Sequence, residues 1–137
     1  MRRAVRMRLF PPRQIVPAEY EGKTVVSDRY LLANVVYQGH ARNLDVAKLW
    51  EIGNYITRGV LPDLTFVLDM PASAAHDRIQ RTLDRMEREG DEFRERLRRG
   101  FLAEAARNGN RVVVIDAARP IDAVQADIRT AAERVLS

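Results

Sequence analysis

Asp28 and Arg29 stand side by side in "TVVSDRY", where a short β-branched run gives way to a helical pattern. That placement suits phosphate chemistry. A carboxylate at a strand end can hold a magnesium ion through its water, and a guanidinium can grip a phosphate with two parallel hydrogen bonds. Just upstream, Gly22-Lys23-Thr24 has the ending of a phosphate-binding loop. Such a loop needs G-x-x-x-x-G-K-[ST] between a strand and a helix, so that backbone N–H groups face the phosphates. Here the first glycine's position is Pro17, which has no N–H, and a strand pattern follows Thr24. Gly22-Lys23 therefore reads as a connector. An aspartate followed by arginine at a helix start also serves plain capping, so Asp28-Arg29 needs support from the rest of the chain.

Further chemistry-bearing residues are sparse. Residues 78–99 hold eight arginines against six acids, among them Arg78, Arg81 and Arg85. Taken alone, that pattern is a solvated helix laced with i,i+4 pairs. His40 and His76 are isolated, without metal-ligand spacing, and read as surface residues. Trp50 and Phe93 read as core. Asp69-Met70-Pro71 follows a strand pattern, and ordinary turn chemistry accounts for it. With no cysteine, disulfides and thiolate metal sites are excluded and a reducing cytoplasm is the default compartment.

The elements that would position these residues are legible in part. Thr24–Ser27 is a short strand. Leu31, Leu32, Val35 and Val36 then mark a helical face. Asp45 caps a helix over "VAKLWEIGNYIT", with a broad apolar stripe of Leu49, Trp50, Ile52, Tyr55 and Ile56, stopped by Gly59 and Pro62. "LTFVLD" (Leu64–Asp69) and "RVVVID" (Arg111–Asp116) are apolar strands of the kind covered on both faces. A helix carries Phe93, Leu97, Phe101 and Leu102, and a closing helix turns Ile121, Val124, Ile128 and Val135 inward. This order implies an α/β domain with a mainly parallel sheet and helices on both faces. Each strand pattern ends in a polar cluster, and ligands of such sheets bind outside the strands' carboxyl ends.

At 137 residues, with 46% hydrophobic and 31% charged residues, the chain has the length and composition of one globular domain. No apolar run approaches the roughly 20 residues that span a bilayer. The net charge of +4 is unevenly placed. Residues 1–18 hold five arginines and no acid, while the remainder has 18 basic and 19 acidic residues. A broad nucleic-acid face is not indicated, because phosphate contacts need positive charge concentrated on the binding surface. A basic tail binding DNA on its own remains a third reading, and it would show as salt-dependent retention. Pro11, Pro12 and Pro17 are expected to block helix formation and leave the N-terminal segment extended.

"SDRYLLANVVYQGHAR", "PDLTFVLDMP", "LDRME" with its following Phe and Arg, and "VVVIDAARPIDAVQADI" together resemble thymidylate kinase. The resemblance runs in order from about Lys23 to the C-terminus. Residues 1–22 stand apart from it, and residues 23–137 form the kinase-like domain, with a lid at about 78–90. The resemblance implies transfer of the ATP γ-phosphate to dTMP with Mg2+, and a cytoplasmic, membrane-free homodimer. It implies catalytic roles for Asp28, Arg29 and Arg85, with Asp28 near the metal through water. It also implies dTMP contacts from Arg29, Asn34, Tyr37 and Gln38, with Asn34 at the thymine edge and Tyr37 against the sugar. Arg78, Arg81 and Arg119 fall to ATP.

The fold implied is a P-loop NTPase-like parallel sheet lacking its first two strands and the phosphate-binding loop. Two origins are consistent with this. One is a truncated or mis-started kinase product, weakly active or inactive alone. The other is a non-catalytic nucleotide-binding or interaction module that retains the dTMP pocket.

Overall fold

A computed structural model describes residues 4–7, 12–71, 74 and 90–136. The chain divides into two compact units, residues 1–61 and 62–137. Each pairs two parallel strands and backs them with helices, so the α/β expectation holds.

In the first unit β1 (Ala4–Met7) lies parallel to β2 (Thr24–Ser27), with Ala4 opposite Thr24 and Met7 opposite Ser27. A helix, α1 (Pro12–Tyr20), joins them. The N-terminal segment is therefore neither wholly extended nor barred from helix, contrary to the expectation from its prolines. Pro12 occupies the first helical position, where a missing N–H costs no intrahelical bond. Pro17 sits inside and removes one bond, a loss that a nine-residue helix between two paired strands tolerates. β1 had no signal of its own, since four residues in an arginine-rich context show no usable period.

Gly22-Lys23 closes α1. Lys23 N–H donates to the Ala18 carbonyl (2.9 Å) and Gly22 N–H to the Glu19 carbonyl (2.8 Å), with Gly22 left-handed at φ 68°. These are the two bonds of a Schellman motif. The apparent phosphate-loop ending is thus a helix terminator that feeds β2.

After β2 come α2 (Leu31–Asn34) and, continuous with it, a π-helix (Val35–His40). Ala41 N–H reaches the Val36 carbonyl at 3.0 Å, the i→i+5 bond of that wider turn. The expected helical face is real, as Leu31, Val35 and Val36 are buried, but its second half is not α. α3 (Val46–Thr57) has the predicted bounds. Asp45 caps it by accepting from Lys48 N–H at 3.0 Å. It ends in a second Schellman pair, Gly59 N–H to Asn54 and Arg58 N–H to Tyr55, with Arg58 left-handed at φ 54°.

Only part of the expected α3 stripe packs, with Leu49 and Trp50 half-buried. Ile52, Tyr55 and Ile56 are exposed, whereas Gly53 and Thr57 are buried. Glycine permits this. A Cβ on Gly53 would lie 2.1 Å from Leu31 Cδ1, and one on Gly39 would lie 2.7 Å from Val46 Cγ2. The helix pair approaches so closely that only hydrogen fits at these two positions.

In the second unit β3 (Thr65–Asp69) and β4 (Val112–Asp116) pair in parallel, with Asp69 opposite Asp116. α4 (Asp91–Arg107) and α5 (Ile121–Leu136) pack on them. The core is Val67, Phe93, Ala105, Val112, Ile115, Ala117, Val124 and Ala131. Phe93 is core as expected, while Trp50 of the first unit is half-buried. The strands are not covered throughout, since Leu68 and Val114 are exposed. In α5, Val124 is buried and Ile128 half-buried. Ile121 and Val135 are exposed because they lie at the helix ends, and Ala131 takes the inner position instead.

Candidate functional site

The carboxyl end of β2 carries the densest set of candidate residues. Ser27, its last residue, donates its hydroxyl to the Arg29 carbonyl at 2.6 Å, folding the chain sharply as it leaves the strand. Asp28 and Arg29 are thereby left exposed. Tyr30 donates its phenol to the Val60 carbonyl at 3.1 Å. Burial raises that phenol above its ordinary value of 10.0, against a hydrogen bond with Thr57, and Glu19 adds to the rise. Tyr30 thus keeps its proton and ties the loop to Val60.

Arg29 does not extend freely into solvent. Its Cζ lies 5.1 Å from the centroid of the Tyr37 ring, a cation–π contact. Tyr37 and Gln38 belong to the π-helix and are half-buried, and Asn34 is the exposed last residue of α2. Asn34 and Tyr37, three positions apart, therefore do not lie on one regular α-helix. The wider turn begins between them. Single π-turns inside helices concentrate at functional sites, where they re-aim side chains.

The second unit presents two aspartates at adjacent strand ends. Asp69 receives Arg98 with both carboxylate oxygens, Nε at 2.7 Å and a terminal nitrogen at 3.0 Å. This bond, opposed by burial and aided by the guanidinium charge, holds the Asp69 carboxyl below its ordinary 3.8. Asp116 accepts the Ala118 N–H at 2.9 Å, and Arg119 donates to the Asp116 carbonyl at 3.2 Å and pairs with Asp127. Arg119 is thus positioned at the exit of β4 by acids on both sides.

The Asp69–Arg98 pair has a pH consequence. A depressed folded-state pKa contributes stability that is present above the unfolded value and lost as pH falls through the folded one. The melting temperature of the wild type is expected to exceed that of Asp69→Asn at pH 7, with the gap closing as pH drops below about 4. A gap constant from pH 7 to pH 3 would show that the pair contributes nothing specific. Sequence reasoning missed this pair because its arginine lies in a run of eight, with no local mark to single it out.

Of the residues singled out from sequence, Asp28, Arg29, Asn34, Tyr37 and Gln38 lie on one continuous stretch of the first unit, with Arg29 and Tyr37 in contact. Arg119 belongs to the second unit. Arg78, Arg81, Arg85 and His76 lie outside the described residues. Among the described residues no three acids or histidines gather as a metal cluster. No helix there is long and apolar enough to cross a membrane.

Paired parallel strands with helices packed beside them define an α/β protein, a class that takes its ligands at strand ends. More particularly, the family model for thymidylate kinase matches residues 4–128, and the chain belongs to that family. The match begins at residue 4, so it takes in β1 and α1 as well as the motifs from Lys23 onward.

The chain is similar to the thymidylate kinase of Pelotomaculum thermopropionicum, 42% identical over 125 residues that cover 89% of this chain and 58% of the relative. That of Clavibacter michiganensis subsp. michiganensis is 42% identical over 124 residues, covering 88% of this chain and 59% of the relative. For that of Bifidobacterium longum NCC 2705 the figures are 40% over 116 residues, 85% and 56%. The chain therefore spans somewhat under three fifths of the length of these relatives.

Proposed function

We propose that this chain serves the transfer of the ATP γ-phosphate to dTMP, giving dTDP, and that its first unit supplies the dTMP-recognising part. The observation that carries the reading is Arg29, fixed at the carboxyl end of a parallel strand against Tyr37. In phosphoryl transfer the protein mainly positions the groups and neutralises charge. A guanidinium held in one place does both. Arg29 grips the dTMP phosphate, Asn34 hydrogen-bonds the thymine edge, and Tyr37, with Gln38 beside it, bounds the sugar.

Mg2+ keeps most of its waters and takes one or two carboxylates besides the nucleotide phosphates. The single exposed carboxylate of Asp28 fits that demand through a bridging water. Arg119 borders the adenine of ATP, Arg78 and Arg81 approach its phosphates, and Arg85 acts in the transfer. The partners are thus dTMP and ATP, and the compartment is the cytoplasm, in keeping with a cysteine-free chain. A homodimer is part of the proposal, and the exposed Ile52, Tyr55 and Ile56 on one side of α3 support it.

These 137 residues contain no G-x-x-x-x-G-K-[ST] motif. That favours a second reading for this stretch taken alone, a nucleotide-binding module with little turnover. Both readings require dTMP to bind. Saturating dTMP is expected to raise the melting temperature, because a ligand taken up only by the native state stabilises it. Coupled ADP release is expected to fall far below the roughly 1–100 s⁻¹ usual for kinases. No thermal shift would sink both readings, and turnover at ordinary rates would sink the second.

A further inference from the structure

We infer that Tyr37 is the positioning residue for Arg29: its ring face holds the guanidinium where an incoming phosphate monoester meets it. The inference rests on the proposed dTMP site but assigns Tyr37 a task beyond contact with the sugar. Three observations converge. The Arg29 backbone is fixed on one side by Ser27 Oγ, which donates to its carbonyl at 2.6 Å. The next residue, Tyr30, is fixed to the Val60 carbonyl at 3.1 Å. The exposed Arg29 side chain lies with Cζ 5.1 Å from the Tyr37 ring centroid. Backbone and head group each have a partner, so the long stem between them is tethered at both ends before any ligand arrives. An arginine otherwise gives up much rotamer entropy when it closes on a phosphate.

The π-helix is what makes this contact available. Tyr37 is its third residue, and the i→i+5 bond from Ala41 to Val36 spans it. On the close side, Gly39 has room only for hydrogen against Val46, so the turn is held against α3. A side chain eight positions from Arg29 is thereby held against it. The interaction needs the aromatic face and not the hydroxyl. Tyr37 therefore acts through Arg29 on the phosphate, and a ligand without phosphate gains nothing from the stack.

The test uses the full chain with dTMP and thymidine as probes, and compares wild type with Tyr37→Leu, Tyr37→Phe, Arg29→Gln and the double variant Arg29→Gln/Tyr37→Leu. Tyr37→Leu is expected to lower the ratio of dTMP to thymidine affinity roughly two- to fivefold, the range of an exposed cation–π contact. Tyr37→Phe restores the ratio. In the Arg29→Gln background, Tyr37→Leu changes the ratio no further, because the residue through which it acts is gone.

A ratio unchanged by Tyr37→Leu, or lowered equally with and without Arg29, overturns the proposal. In the ligand-free chain, the Arg29 side-chain protons are expected upfield in wild type and Tyr37→Phe, and relaxed in Tyr37→Leu. If they do not move, the stack is absent and the proposal fails whatever the ligand data. If wild type takes up neither ligand, the dTMP reading fails and the phosphate role with it. The proton shifts then still report on the stack itself, so the two failures are told apart.

Discussion

Arg29→Gln is expected to weaken dTMP binding by roughly ten- to 150-fold while leaving the melting temperature of the ligand-free chain nearly unchanged. The size follows from the chemistry removed, since a hydrogen bond to a charged group contributes about 1.5–3 kcal/mol, and an arginine can make two to one phosphate. Glutamine keeps a polar side chain of moderate length but has neither the charge nor the fork. The small effect on stability follows from exposure. Arg29 lies outside the core, and the hydrogen bond from Ser27 goes to its backbone carbonyl, which any residue supplies. Calorimetric titration with dTMP and with thymidine separates the two effects. The loss should fall on dTMP and spare thymidine. Equal losses for both would mean that Arg29 shapes the pocket instead of gripping the phosphate.

Gly53→Ala is expected to destabilise the first unit, against the usual trend for glycine in a helix. Gly53 lies in the interior of α3, where alanine normally adds about 1 kcal/mol by propensity. Here the added Cβ would stand 2.1 Å from Leu31 Cδ1, 2.9 Å from Cδ2 and 3.0 Å from Cγ. Leu31 is itself buried, so its side chain has little room to yield. Overpacking of this kind costs roughly 1–3 kcal/mol, enough to cancel the gain and leave a net loss at the upper end of that range.

Leu31→Ala alone costs about 2–5 kcal/mol through the cavity it opens. Because the new methyl partly fills that cavity, the double variant is expected to lose less than the sum of the two. Thermal melts of the four proteins check this, and strict additivity would show that the two residues do not share a space. Leu31 begins α2, two positions after Arg29, so the clash is also expected to weaken dTMP binding.

What the sequence made legible, and what it concealed, divides along physical lines. α3 was readable to the residue because Asp45 is a strong cap and a glycine follows the helix end closely. β3 and β4 were readable because runs such as "TFVLD" and "VVVID" have few competing conformations. β1 and α1 were not, because pairing with β2 and a favourable first position for Pro12 are tertiary and positional effects that composition does not display.

The π-helix was hidden for another reason. Leu31, Val35 and Val36 satisfy an ordinary helical period, and one wider turn later in the run leaves that pattern intact. The packing side of α3 is legible only at Leu49 and Trp50, because a hydrophobic pattern seeks burial in large apolar residues. The close approach is made at Gly53, which a hydrophobic pattern does not record. Asp28, Arg29, Asn34, Tyr37 and Gln38 are candidates picked out by motif, and the structure places them along one stretch of the first unit. The contact between Arg29 and Tyr37 could not be read from motifs, since it depends on the π-turn and on the bend that Ser27 imposes. Gly22-Lys23 shows the reverse case, where a fragment of a nucleotide motif is fully accounted for as a Schellman cap.

The central claim is that Arg29 grips the phosphate of a nucleoside monophosphate at the end of β2. The ³¹P resonance of dTMP, followed as the full chain is added, reports on that phosphate directly. The account predicts a saturable shift and broadening with wild type that is largely lost with Arg29→Gln. An identical response from the two proteins, or none from wild type, would contradict it.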